Sequence, residues 1–337
     1  MYSREDGYIE NTAGGTALHG SDGDVTVRGQ LLYGVPETVE VLLYGSYSKL
    51  NGTGVASQFV QRNVGGPPPT QALLRTIPAD NPDPLKTAVD ADSFNDVETY
   101  LGFARITKDF GGVEAFLQAG KLWQETDLQQ DFDGSAVPVS IFNKSQDSEA
   151  ESVELRLSST GDTPLSWIVG GYYFNEDTYI FRRVRLNGLT PGGMINLPDF
   201  LLDETGKSST IAAFASLTYS VTDNLRLTGG IRYTRDKKRG TKVNRLKFGA
   251  PVDAPLPNAN FPANVKFNKA TWKGAIEYDI TPDILIYGSI SNGYKAGGFN
   301  ITSDGQPYNP EKITAYEIGF KSDLFDRRAG PCGACAE

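Results

Sequence analysis

The chain has 337 residues, a formal net charge of −9 and 22% charged residues, with one histidine, two cysteines and two methionines. An acidic balance weighs against nucleic acid as a partner, since phosphate binding wants a basic stripe. A lone His19 in a Gly-rich stretch weighs against a histidine-based metal site or catalytic triad, and no apolar run is long enough for a transmembrane helix.

In chain order, alternating segments of roughly ten residues are joined in pairs by very short turns. These lie at Val35-Pro36-Glu37, Asp109-Phe110-Gly111-Gly112, Thr160-Gly161-Asp162-Thr163, Thr222-Asp223-Asn224 and Thr281-Pro282-Asp283. Long Gly/Pro/Asn/Asp-rich stretches separate the pairs, at about 50–96, 124–149, 179–206, 237–268 and 296–310. Tight turns at one end and long loops at the other are the signature of an outer-membrane barrel, whose two rims face different compartments.

The segments carry period-two patterning. Over 38–47, Val39, Val41, Leu43 and Tyr47 oppose Thr38, Glu40 and Ser46. Val153, Leu155 and Leu157 oppose Ser152, Glu154 and Arg156, and Leu225, Leu227, Ile231 and Tyr233 oppose Arg226, Thr228, Arg232 and Thr234. Over 272–280, Trp272, Ile276, Tyr278 and Ile280 oppose Lys273, Glu277 and Asp279. Ionised groups at alternate positions on strand after strand need water on that side, which implies a wide, wet lumen. Segments 98–108 and 113–122 mix their faces, with Phe103 beside Arg105 and Phe116 beside Gln118. Aromatic residues near strand ends (Tyr44, Tyr47, Tyr172, Tyr173, Phe174, Tyr219, Tyr233, Tyr287, Tyr294) read either as an interfacial girdle or as ordinary β-propensity.

The fold expectation is therefore all-β: a partial antiparallel transmembrane β-barrel of about 11–12 strands from a larger barrel, with short periplasmic turns and long extracellular loops. An open sheet would expose edges that hydrocarbon does not tolerate. Met1–Glu5 also shows no basic and apolar leader. Both point to a fragment.

The run Tyr287-Gly288-Ser289-Ile290-Ser291-Asn292-Gly293-Tyr294-Lys295-Ala296-Gly297-Gly298-Phe299-Asn300, followed by Pro310-Glu311-Lys312-Ile313-Thr314-Ala315-Tyr316-Glu317-Ile318-Gly319-Phe320-Lys321, resembles the barrel of TonB-dependent outer-membrane receptors. Leu225–Thr234, the pair Ser152–Leu157 and Trp167–Phe174, and Asp6–Asn11 resemble further family strands in family order, so the resemblance covers 1–328. The motif residues it singles out are Gly293, Tyr294, Lys295, Gly297, Gly298, Phe299, Asn300, Pro310, Glu311, Tyr316, Glu317, Gly319 and Lys321.

The resemblance implies an outer-membrane location in a Gram-negative bacterium. It also implies import of a ferric siderophore or similar scarce nutrient through a ~22-stranded barrel. The drive would come through a plug from the TonB-ExbB-ExbD complex and the proton-motive force. The implied partners are that complex, outer-membrane lipid and the nutrient ligand, with no nucleic acid, no resident cofactor and no enzymatic activity. The plug and the later strands are expected to be missing.

Residues 329–337 depart from the family pattern and read as a frameshift or truncation. Their Cys332-Gly333-Ala334-Cys335 weighs as a redox or metal pair only weakly, because a closed zinc site wants four ligands. Asp90, Asp92, Asn95 and Asp96 lack the glycine and closing glutamate of a calcium loop. Asp131 and Asp133 lack a partner acid on a rigid element. The candidate ligand contacts are Arg156, Arg226 and Arg232 on the polar face, where a guanidinium binds an anionic ligand bidentately. Alternative readings are a passive diffusion porin, or a secreted β-rich adhesin or carbohydrate-binding module.

Overall fold

The short turns close because their own side chains and glycines tie the backbone. In the computed structural model, Asp109 Oδ1 accepts from the Gly111 amide at 2.7 Å, and Gly111 and Gly112 take φ of 75° and 116°, a region that favours glycine. Thr222 Oγ1 accepts from the Asn224 and Leu225 amides at 3.3 and 3.1 Å, and Thr281 Oγ1 from Asp283 at 3.3 Å. The structure describes residues 1–35, 39–57, 83–190, 193–247, 253–255, 261–299, 306–322 and 332–336; the expected turn at Val35-Pro36-Glu37 falls largely outside them.

These turns connect one antiparallel sheet whose spatial order is its chain order. Its path runs β1 (Tyr2–Glu5), β2 (Ser21–Val35), β3 (Val39–Gly52), β4 (Phe94–Asp109), β5 (Val113–Asp131), β6 (Ser140–Ser159) and β7 (Leu165–Thr190). It continues through β8 (Asp199–Thr222), β9 (Leu225–Lys247), β10 (Phe261–Thr281), β11 (Ile284–Lys295), β12 (Glu311–Ser322) and β13 (Cys332–Ala336). The eleven strands β2 to β12 run from 12 to 26 residues, in line with the expected count. Among the described residues β1 and β13 are the two edges, so the sheet is a partial barrel. The segment Cys332–Ala336, read from sequence as a departure from the family, is extended and pairs with β12 from Lys321↔Cys332 to Glu317↔Ala336.

The pleat divides the side chains. On β9, Leu227, Ile231 and Tyr233 are exposed outward, while Arg226, Thr228, Arg232, Thr234 and Asp236 alternate with them as half-buried or buried inward groups. Ile211, Leu217 and Tyr219 on β8, Trp272, Ile276 and Tyr278 on β10, and Tyr316, Ile318 and Phe320 on β12 extend the apolar outer face. Only Leu18, Val89, Leu201 and Ala212 are buried apolar side chains among the described residues. The apolar surface therefore has its complement in lipid rather than in a protein core.

Three expected loops are mostly strand. Of 124–149, β5 runs on to Asp131 and β6 starts at Ser140. Of 179–206, β7 reaches Thr190 and β8 starts at Asp199. Of 237–268, β9 reaches Lys247 and β10 starts at Phe261. Beyond the bilayer both faces meet water, so apolar alternation stops while the hydrogen-bond ladder continues.

The girdle reading also divides. Tyr173, Tyr219 and Tyr233 are exposed outward, and Tyr47, Tyr100 and Trp123 form an outward aromatic row with ring centroids 4.9 and 5.3 Å apart. Tyr44, Tyr172, Tyr287 and Tyr294 instead engage inward-facing partners. Adjacent residues of a strand point to opposite faces, so Tyr44 and Tyr47, or Tyr172 and Tyr173, cannot share one.

Ile231→Arg, which puts a cation into the outer apolar band, is expected to lower folding stability in bilayers by about 2–4 kcal/mol. Denaturant titration of the refolded protein, followed by its heat-modifiable gel shift, checks this.

Candidate functional site

The inner wall is built by register. Phe116 pairs with Arg156, Arg156 with Gly170, Gly170 with Phe214, and Phe214 with Arg232, so these residues form one lumenal row across β5 to β9. The Arg156 guanidinium lies 4.4 Å from the Phe116 ring centroid and 3.9 Å from Glu154, and its Nε is buried without a hydrogen-bond partner. Arg232 lies 5.6 and 5.7 Å from the Tyr172 and Phe214 rings and donates from Nε to Thr234 Oγ1 at 3.2 Å. Gly170 makes the row possible: a Cβ there would meet the Phe214 ring at 2.5 Å.

Arg226 stands apart. It donates from Nε to Glu277 Oε2 at 3.0 Å and from Nη2 to Asp279 Oδ1 at 3.2 Å, beside the turn at 222–225. Two carboxylates satisfy that charge, so its evident role is to join β9 to β10. Of the three candidate arginines, the structure thus brings Arg156 and Arg232 onto one row and leaves Arg226 several residues below.

Sequence reasoning missed Arg105. It donates from Nε and Nη2 to Gln118 Oε1 at 3.0 and 2.8 Å, with the Phe103 and Phe116 ring centroids 5.6 and 5.4 Å away. The mixed faces of segments 98–108 and 113–122 are the signal: Phe103, Arg105, Phe116 and Gln118 share the lumenal face, where cation–π contact is favourable.

The motif residues organise the lumenal side of β11 and β12. Tyr294 hydrogen-bonds Asp236 of β9, and Tyr287 donates to Glu317 Oε1 at 2.7 Å with Lys321 Nζ 5.7 Å from its ring centroid. Gly319 gives the Tyr287 ring its place, since a Cβ there would approach it to 2.6 Å. Gly297 and Gly298 lie against Tyr308, Gly298–Phe299 pairs with Pro307–Tyr308, and the Phe299 ring covers Gly240. Gly293 pairs with Ile313, Lys295 with Glu311 at the strand ends, and Tyr316 faces outward; Pro310 is half-buried just before β12, and Asn300 lies outside the described residues.

At the outer rim, Asp131 is 1% exposed and accepts from the Asp90 amide at 3.0 Å and the Gly134 amide at 2.7 Å. Asp133 accepts from the Ser140 amide at 2.7 Å. Asp131 thereby ties Asp90 to the β5–β6 hairpin, and Asp133 closes the hairpin's own loop. Burial pushes the Asp131 carboxyl up to about 6 and raises Asp133 as well. A carboxyl raised above its unfolded value stabilises most below that value and loses its contribution as pH rises through about 6. Hydrogen exchange at the Asp90 and Gly134 amides, corrected for intrinsic rate, is therefore expected to speed up above that pH. Asp131→Asn is expected to flatten the response.

The sequence pattern of the family described as "TonB dependent receptor-like, beta-barrel" matches residues 12–330. The chain belongs to that family. Like other TonB-dependent receptor barrels, it is an outer-membrane protein of the Gram-negative envelope. It is 29% identical over 213 residues to the pesticin receptor of Yersinia enterocolitica, covering 60% of this chain and 28% of that protein.

Among solved structures, the ferric yersiniabactin uptake receptor FyuA from Yersinia pestis superposes with a TM-score of 0.73 at 17% identity, over 96% of this chain and 46% of that one. The siderophore receptor PiuA from Acinetobacter baumannii gives 0.67 at 13% identity, over 99% and 51%. This receptor barrel therefore spans about half or less of the lengths of the relatives it matches.

Proposed function

We propose that the chain forms part of the wall of an energised importer that takes up a ferric siderophore or a similar scarce, anionic nutrient. The observation that carries the reading is the lumenal row from Phe116 to Arg232, in which two inward guanidinium groups lie against aromatic rings: Arg232 has no ion pair among the described residues and Arg156 only a long one to Glu154 at 3.9 Å, whereas two carboxylates hold Arg226. A wet wall with underused cations suits a bulky anionic chelate, which a guanidinium holds through paired hydrogen bonds. The pesticin, ferric yersiniabactin and siderophore receptors among its relatives support the same class of cargo.

On this reading a plug domain blocks the complete barrel, and contact with the TonB-ExbB-ExbD complex couples its opening to the proton-motive force. The barrel residues described above orient the passing ligand and perform no bond chemistry, so the protein acts as a transporter and not as an enzyme. Residues 1–328 are its barrel segment.

Disrupting the coding sequence in its native host is expected to abolish uptake of at least one radiolabelled ferric siderophore, an uptake that a protonophore also stops. Unchanged uptake of every ferric chelate, with loss of passive small-solute diffusion instead, would favour a porin. Arg156→Gln is expected to weaken binding of a carboxylate-bearing ferric siderophore by about tenfold, measured by whole-cell uptake at limiting ligand, with unchanged amounts of protein in the membrane.

A further inference from the structure

The outer wall carries a second charged feature, which the lumen does not explain. Above Tyr233 on β9, the next three outward positions are Arg235, Lys237 and Arg239. Register sets Lys266 of β10 directly opposite Lys237, and Lys207 of β8 directly opposite Arg239.

Nine outward positions on three neighbouring strands thus hold five cations and no acid, the others being a serine, an isoleucine and two asparagines. Lys207 has a partner in the next strand, with Nζ 2.9 Å from Asp177 Oδ2. The remaining four cations have no ion pair among the described residues.

Like charges directly opposite on neighbouring strands destabilise a sheet, and the whole chain is acidic, so this patch is not a by-product of general basicity. Its height is informative. Arg235 lies one outward step, about 7 Å of strand, above Tyr233, where the apolar band ends and lipid headgroups begin.

We infer that Arg235, Lys237, Arg239 and Lys266 form a binding site for the phosphate groups of a phosphorylated lipid headgroup in the outer leaflet. The outward asparagines beside Arg235 and Arg239, at 268 and 264, add amide donors at the same level. The guanidinium and ammonium groups meet the phosphates from the side while the acyl chains lie against Tyr233, Trp272 and Ile231. The inference rests on the outer-membrane placement of the barrel and uses no lumenal group, so its failure leaves the import reading untouched.

The test titrates the full chain, folded in zwitterionic detergent, with diphosphorylated lipid A, reading bound lipid by native mass spectrometry. Each of Arg235→Gln, Lys237→Gln, Arg239→Gln and Lys266→Gln is expected to weaken binding by about fivefold, as is usual for one surface cation near anionic lipid. Added salt is expected to weaken it further. Lys108→Gln, at the opposite rim, is expected to change nothing. The proposal is overturned if the dephosphorylated lipid binds equally well, since acyl contact alone then suffices. It is also overturned if inorganic phosphate binds as tightly as the lipid, or if single variants that keep their β-sheet dichroism bind like the parent chain.

Discussion

Inside hydrocarbon a backbone amide has no water to bond, and every strand of this protein that crosses must find its partners in the strands beside it. That constraint fixes the antiparallel ladder from β2 to β12, and the ladder fixes everything else. Once the pleat is locked, each residue has one of two addresses, lipid or lumen, and a shift of one position would reverse them all. Ile231 and Tyr233 sit in lipid only because Arg232 and Thr234 sit in water.

The same division supplies two electrostatic environments on one strand. Inward, β9 presents Arg226, whose charge is closed by Glu277 and Asp279, and Arg232, set among aromatic rings. Outward and higher, it presents three cations in succession. The lumenal groups meet solutes in the wet interior, whereas the outer ones meet the membrane's own headgroups. A single stretch, Leu225–Lys247, therefore faces the interior, the lipid and the interface between lipid and water.

How far this was readable from sequence depends on whether one face was dry. Where Leu227, Ile231 and Tyr233 met lipid, alternation exposed the strand, its facing and the inward arginines at once. Where both faces were wet, as in the upper parts of β7 and β8, no pattern remained and extended strand read as loop. Arg105 escaped for a related reason: Phe103 and Phe116 accompany it on the lumenal face, so the polar side looked half apolar. The basic run at 235–239 was visible as letters, but only pairing with β8 and β10 divides it into outward Arg235, Lys237 and Arg239 and inward Asp236 and Lys238.

The strands reach 26 residues, far more than a bilayer needs. The surplus lifts the connecting segment 132–139 away from the membrane on a two-stranded arm. Lengthening such a tip costs little loop-closure entropy and breaks no ladder bond. The outermost surface can therefore change in length and sequence while the ladder within the membrane stays intact.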